Sequence, residues 1–545
     1  MIKIIENNKK IITNIIIILV FGFIITTCYC NSSTLNYDII WLFHTSQKVS
    51  NGYTMYTEIN TVLTPIFFWI GALFIKIFGN KILSMYILSG IVGGTIIATL
   101  YNILKIVSKK ENNILFLICT IFALKFIYVL GLPNYNTLAI MWWLFAVFLE
   151  LKNTEIENDN AKRKNNVLIG ILIGLIIFTK QNIGIFATIS VLGCSIIKKL
   201  LGKEEKCVKE IMLKSIGIGT VVLGMLAYFV LSNSLNSFID YCIGGILEFE
   251  NKNISFKLPL VYIGVIFLVF CGFAKSIRSK DKRMSILTIT QIFLIPIIYP
   301  ISNSYHILLS MIMLLPLLLK LVDDIKDKRV SELFIITFLF VITFVPLSNM
   351  NREYSVFEKI FMGTSMVGGE IITIAMFVAF ILLISINIFN KENLSKYICG
   401  GSLAFVVFFN TIINVMAYKD LELPKNLYVY DGILYNKEVI KYIDDVVNYI
   451  EERRKNGEKV LVVSADASYY TSALQQNNYV YDFPLYGSLG FEGEERLIDN
   501  LPNGEDIVIL KNKYMMYQES EKLDKYIRKN YKKVGEINGL EIFEK

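Results

Sequence analysis

A few side chains stand where this chain turns between apolar blocks, and they are the ones best placed for chemistry. Asp38 lies in Asn36-Tyr37-Asp38-Ile39-Ile40-Trp41, directly beyond the first apolar block, and is followed by Ser50-Asn51-Gly52-Tyr53 and then Tyr56-Thr57-Glu58. A carboxylate there can take a proton from a hydroxyl, or it can simply cap a helix or face water. Lys180 and Gln181 sit in Gly174-Leu175-Ile176-Ile177-Phe178-Thr179-Lys180-Gln181-Asn182, at a turn between two short apolar blocks. A lysine in that setting either meets an anion or stretches its ammonium to the nearest water. Tyr305 and His306 end Tyr299-Pro300-Ile301-Ser302-Asn303-Ser304-Tyr305-His306, another such turn, where an imidazole can donate to a phosphate oxygen or serve as an ordinary polar residue. Tyr135-Asn136 occupies a further turn, Leu132-Pro133-Asn134-Tyr135-Asn136, and Arg352-Glu353 reads as a solvated loop pair.

The elements that must position these residues are membrane helices. The chain has 545 residues, 54% hydrophobic and 18% charged, too apolar for a soluble protein. Apolar blocks of about 18 to 22 residues recur, the length a helix needs to cross the hydrocarbon, whereas a membrane β-barrel would read as short alternating segments. The blocks predict spans near 11–29, 82–104, 113–130, 135–151, 167–179, 183–198, 211–232, 258–274, 284–300, 305–321, 331–347, 368–389 and 397–416. The net charge of +8 does not form a nucleic-acid-binding stripe. Its clusters, at Lys9-Lys10, Lys109-Lys110, Lys162 to Lys164, Lys198 to Lys209, Lys275 to Arg283 and Lys326 to Arg329, all fall on one side of the membrane if the N-terminus is cytoplasmic. The stretch Thr61 to Phe78 is apolar enough to span, but counting it would invert every later cluster. It therefore reads as a helix lying in the outer interface, with Pro65 in its first turn and Gly79-Asn80 ending it. The eight cysteines are scattered without metal-ligand spacing,.

Beyond about residue 417 the charge density rises and the pattern becomes that of a soluble α/β domain outside the membrane. A helix is expected at 437–455, strands at 459–464 and 506–510, a helix at 519–531, and a hairpin over 534–543 turning at Asn538-Gly539. Ser464-Ala465-Asp466-Ala467 follows the first strand and lacks the glycines of a phosphate-binding loop. The fold class expected is thus an α-helical polytopic membrane protein of about 13 transmembrane helices with a small C-terminal extracytoplasmic α/β domain. The division is 1–417 for the membrane domain, with its first outer loop at 30–81, and 418–545 for the outer domain.

From residue 11 to about 416 the sequence resembles the GT-C class of polytopic membrane glycosyltransferases, which take sugars from polyprenyl-phosphate carriers and include protein O-mannosyltransferases and lipid A aminoarabinose transferases. The resemblance implies a catalytic acid in the first outer loop, soon after the first helix, which maps to Asp38. It also maps the family's Gly-Tyr to Gly52-Tyr53. Members often carry two adjacent acids at that place, and here Tyr37-Asp38-Ile39 holds one, which leaves Glu58 as the other candidate base or a substrate contact. A Thr-Lys pair like Thr179-Lys180 implies a carrier-phosphate contact by Lys180 aided by Gln181, and Tyr305 and His306 fall where the family holds its donor. One carboxylate suffices for such a reaction, because a phosphate leaves as a stable anion without the protonation that glycosidases must supply.

The activity implied is inverting transfer of a hexosyl or pentosyl unit to an envelope glycan, lipid or protein outside the membrane. No metal is expected, since the first outer loop has no Asp-x-Asp and hard divalent cations usually want more than one carboxylate. Two other readings stand beside this one: a transporter or flippase of a lipid-linked precursor, which would favour broken, charged helices in a repeated layout not seen here, and a non-catalytic assembly protein. The topology is open to test. A cysteine placed at position 109 or 110 is expected to react with an impermeant maleimide only from the cytoplasmic side, and labelling from outside would invert the orientation.

Overall fold

The computed structural model describes residues 2–30, 37–109, 112–125, 133–200, 207–245, 260–278, 281–292, 314–321, 323, 401, 421–475, 488–491, 493–501, 504, 506–514 and 519–545. The chain forms two compact units, one made of 1–32, 89–222 and 255–417 and the other of 33–88, 223–254 and 418–545. The C-terminal stretch, expected as a separate domain, therefore shares its unit with the first outer loop.

In the first unit, α1 (Ile2–Cys30) presents Ile11, Ile12, Ile15, Ile16, Leu19 and Phe23 on its exposed surface, as a helix facing lipid does. On the buried side, the Asn102 amide of α4 (Leu83–Val107) donates to Asn14 at 2.9 Å. Then come α5 (Asn112–Lys125), α6 (Tyr135–Lys152), α7 (Asp159–Ile177), α8 (Gln181–Leu200) and α9 (Cys207–Leu231). α7 begins two turns before the span expected at 167–179, because Asn158 caps it by accepting from the backbone N–H groups of Asn160 and Ala161,. The basic run Lys162 to Lys164 thus rides on a helix and not in a loop. Farther on, α7 and α9 cross at van der Waals contact: a Cβ on Gly170 would overlap the Lys214 carbonyl, and one on Gly217 would overlap that of Val167. Small residues permit such an approach where apolar burial alone gives helices no reason to associate.

Four helical segments are long and apolar enough to cross a membrane among the described residues: Lys10–Thr27, Leu83–Val107, Gln181–Leu200 and Cys207–Leu231. Of the later spans, those at 331–347 and 368–389 lie outside the described residues, as do most of 305–321 and nearly all of 397–416.

Charges inside this unit are paired. Glu150 near the end of α6 meets Lys214 of α9, and both are almost fully buried. Lys198 of α8 lies 3.6 Å from Glu150 and 3.1 Å from Glu210. Lys214 also donates to Ser195, whose hydroxyl donates to Glu210 at 3.0 Å. Two cations and two anions therefore bind three helices together. Lys198, counted from sequence among loop charges, is in fact part of this cluster.

The second unit holds α2 (Tyr37–Ser50), α3 (Ile66–Phe78), a short α10 (Leu235–Ile239) running into a π-helical turn at Asp240–Gly244, and the C-terminal α/β layer. α3 follows Pro65 and ends at Gly79, as the sequence predicted. Its 13 residues rise only about 20 Å, short of the roughly 30 Å a crossing needs. After α11 (Leu260–Arg278) and α12 (Lys282–Ile292), which belong to the first unit, the chain forms a two-stranded β1–β2 ladder (Leu421–Glu422 with Tyr435–Asn436) and then α13 (Lys437–Lys455). The main sheet has the order β3 (Lys459–Val462), β4 (Ile507–Asn512), β6 (Leu540–Glu544), β5 (Lys532–Ile537). β3 and β4 are parallel and the other pairs antiparallel. α13 buries Ile440, Ile443, Val447 and Ile450, one face at helical spacing. The β5–β6 hairpin turns at Asn538 and Gly539, both with φ positive, the backbone of a type I′ turn that matches strand twist. α14 (Ala467–Leu474), α15 (Gly493–Asp499) and α16 (Glu521–Asn530) complete the layer.

This layer is tied to the rest of its unit by polar contacts. Lys81 pairs with Asp431 at 2.5 Å, the Ile82 N–H donates to the Val429 carbonyl, and Asn60 donates to the Ser488 carbonyl. Asp240, opening the π turn, pairs with Arg496 at 2.6 Å and accepts from the Phe491 N–H.

The buried cluster of the first unit makes a stability prediction. Lys214→Met leaves the buried Glu150 carboxylate with only the more distant Lys198, shared with Glu210, and is expected to cost roughly 3 kcal/mol, and the double change with Glu150→Leu is expected to recover most of it. Thermal unfolding in detergent, single against double variant, reads this directly, and a double variant less stable than the single one would refute it.

Candidate active site

Asp38 occupies the first turn of α2. It keeps solvent contact while its carboxyl is crowded by protein, and that crowding raises its pKa from the ordinary 3.8, against a hydrogen bond from Trp41 that lowers it. Trp41, three residues on, is buried and packs its ring 6.1 Å from that of Phe68 on α3. The helical spacing places both side chains on one face. An anionic side chain in the first turn also sits favourably against the helix dipole. The acid is thus fixed in direction, reached by solvent and shifted toward neutrality, which suits a group that must take a proton.

The rest of the outer loop forms a tight structure behind α2. Gly52 and Tyr53 close the helix, their N–H groups donating to Val49 and Lys48 carbonyls. Lys48 is almost fully buried, and its ammonium donates to the Glu58 carbonyl and lies 5.6 Å over the Tyr53 ring. Glu58 is exposed and its carboxylate accepts from the Thr54 N–H at 2.7 Å, so it braces this turn. Tyr56 has φ 72°, a conformation few non-glycine residues adopt. It is held there by its phenol donating to the Leu63 carbonyl and by edge contacts with Phe229 and Phe238.

In the other unit, Lys180 lies in the turn between α7 and α8, with its ammonium 4.5 Å over the Tyr135 ring. Gln181 opens α8. Tyr135 opens α6, where Asn134 caps the helix by accepting from the Asn136 N–H. The structure thus brings together Lys180 and Tyr135, picked from two separate turns of sequence, with Gln181 next to Lys180 in the chain. Tyr305 and His306 lie outside the described residues, as do Arg352 and Glu353. Among the described residues no group of three or more His, Cys, Asp or Glu side chains is arranged to hold a metal ion.

Sequence reasoning passed over His44, Gln47 and Lys48 on α2. His44 and Gln47 are buried at 3% and 1% exposure and hydrogen-bond to each other at 3.1 Å. The available signal was the rarity of histidine in this chain, two in all, and its place on the helix that carries Asp38.

Residues 63–232 match the family model described as dolichyl-phosphate-mannose-protein mannosyltransferase. The crystal structure of ArnT from Cupriavidus metallidurans bound to undecaprenyl phosphate is similar at TM-score 0.59 and 10% identity, over 98% of this chain and 97% of that one. The same protein in the apo state gives TM-score 0.59 at 10% identity, over 99% and 98%. The S. cerevisiae protein O-mannosyltransferase Pmt1-Pmt2 complex bound to the sugar donor aligns weakly, with TM-score 0.34 and 15% identity over 42% of this chain and 34% of that one. No curated protein matches the chain by sequence. The fold is that of the GT-C class of polytopic membrane glycosyltransferases. The family match is confined to residues 63–232, from just ahead of α3 to just past α9.

The setting of Asp38 fixes a pH dependence. A base works only when ionised, so a raised pKa moves the acid limb of the kcat/KM profile above the ordinary carboxylate range. Trp41→Phe removes the hydrogen bond that favours the anion and is expected to move that limb still higher, with little change on the alkaline side. A pH profile of the variant against the parent reads the shift, and an unmoved or lowered limb would contradict it.

Proposed function

We propose that this protein is an inverting membrane glycosyltransferase that moves a sugar from a polyprenyl-phosphate carrier to a hydroxyl acceptor outside the membrane. The observation that carries the reading is the placement of Asp38, a crowded yet solvent-reached carboxylate in the first turn of an outer-loop helix, in a chain with the GT-C fold. In the reaction, Asp38 takes the proton of the acceptor hydroxyl. The acceptor oxygen then forms its bond to the anomeric carbon from the face opposite the phosphate. The bond from that carbon to the phosphate oxygen breaks, its electron pair leaves with the carrier phosphate, and the configuration inverts.

Asp38 is preferred to Glu58 as the base because the Glu58 carboxylate is engaged with the Thr54 N–H in its own turn. Lys180 and Gln181 supply a cation and an amide for the carrier phosphate, whose charge grows as the bond breaks. The Tyr135 ring beneath the ammonium holds it in place without neutralising it,. Tyr305 and His306 are assigned to the same donor. The reaction as written requires no metal. The protein resides in the cell membrane as a multi-pass chain, with its N-terminus cytoplasmic and its C-terminal segment outside.

Purified protein incubated with a panel of labelled polyprenyl-phosphate sugars is expected to transfer or slowly hydrolyse at least one of them. Asp38→Asn should lower turnover by roughly 10²-fold or more while carrier binding persists, whereas Glu58→Gln should retain most activity. Full activity in Asp38→Asn would move the base elsewhere, and no binding or turnover across the panel would favour a transporter or assembly role.

A further inference from the structure

Helix α2 is not supported by the outer loop alone. Two of the buried residues of α2, His44 and Gln47, reach α14, in the C-terminal layer. The Gln47 amide nitrogen donates to Asn80 Oδ1 at 3.0 Å and to the Ser472 carbonyl at 3.1 Å. Both partners are acceptors, so the other end of that amide is its oxygen, which faces His44 Nδ1 at 3.1 Å. His44 Nδ1 must then carry a proton and donate. Its second nitrogen, Nε2, faces the Thr471 hydroxyl at 3.3 Å. Thr471 sits 3.0 Å from the Ala467 carbonyl as well, so its single O–H is poised between a backbone acceptor and the imidazole.

α14 is in turn fixed to the sheet. Asp466, just before its first residue, accepts from Asn512 at the end of β4 at 2.9 Å and from the Tyr470 phenol at 3.1 Å. Tyr430 donates to the Tyr469 carbonyl at 2.7 Å. A rigid layer thus holds α14, and α14 holds the helix that carries Asp38. The same helix carries Tyr469, whose phenol is pushed up by burial first, then by the charge of Asp466, and least by that of Asp38.

We propose that His44 is a positioning residue for the transfer reaction: through Thr471, and with Gln47 on Ser472, it clamps α2 to α14 and so sets where Asp38 meets the acceptor. The proposal rests on the transferase reading given above. Its chemistry is that of alignment. A buried hydrogen bond between two rigid elements fixes a helix to within a fraction of an ångström, and a misplacement of about 1 Å can cost a reaction roughly 10²-fold without touching the reacting groups. The C-terminal segment is accordingly part of the catalytic machinery and not an appended module.

The test uses the full-length protein in detergent or nanodiscs. Thr471→Val keeps the side-chain shape and removes the hydroxyl. It is expected to lower kcat by roughly 10- to 100-fold with donor KM held within about twofold, and Thr471→Ser is expected to restore the rate. Because the clamp acts through Asp38, adding Thr471→Val to Asp38→Asn should slow the residual reaction no further. A folded Thr471→Val protein with parental kcat would overturn the proposal, and so would an equal slowing in the Asp38→Asn background. Should Thr471→Val fail to fold, His44→Asn replaces it, since its amide can still donate to Gln47 but is too short to reach Thr471. The same loss of kcat is expected, and parental kcat would overturn the clamp. Lack of turnover by the parent with every carrier sugar is a different outcome: it removes the transferase reading, and the clamp with it.

Discussion

Hydrocarbon solvates no charge, and much of this chain's architecture answers to that. Near the ends of the described membrane helices, Glu150, Lys198, Lys214 and Glu210 are drawn into one neutral cluster because each alone would be costly where the protein buries it,. The cluster links α6, α8 and α9 at one level, while the Gly170–Gly217 crossing brings α7 against α9. Polar matching and close backbone approach thus supply the specificity that apolar burial cannot provide between helices already in lipid.

A carboxylate keeps its water more readily beyond the membrane helices, and Asp38 does so on α2 while burial raises its proton affinity. What the loop lacks in length it gains from its own braces: the buried Lys48, the Glu58 turn and the strained Tyr56 held against Phe229 and Phe238. The result is a firmly held carboxylate on a short helix, supported by both its loop and the C-terminal layer.

Much of this was legible in the sequence, for reasons that can be stated residue by residue. The helical blocks read from length and apolarity because lipid imposes both. α3 read from Pro65 and Gly79 because chain termination is local, and the β5–β6 hairpin read from Asn538-Gly539 because few residue pairs adopt its turn. Asp38 stood out by position. The Glu150–Lys214 pair did not read, since 64 residues separate its members and each looks like an ordinary helix-end charge. Nor did the grouping of 418–545 with the first outer loop, because partners so distant leave no periodic trace. The start of α7 was missed because a polar helical turn outside the membrane resembles a loop until its cap at Asn158 is seen. Tyr305 and His306 lie outside the described residues, so the structure adds nothing to their sequence reading.

The contact between Gln47 and Ser472 joins residues 425 apart, and this separation governs the order in which the protein can be made. α2 leaves the ribosome early and reaches the outer side with the first membrane helix. Its partner follows only after nearly the whole chain has been synthesised, roughly 20 to 85 seconds later at about 5 to 20 residues per second. The β4 strand that anchors α14 comes later still. During that interval the acid-bearing helix lacks its final support. Completion of the chain therefore doubles as a quality check: a truncated or stalled product inserts its helices but never assembles the layer that holds α2.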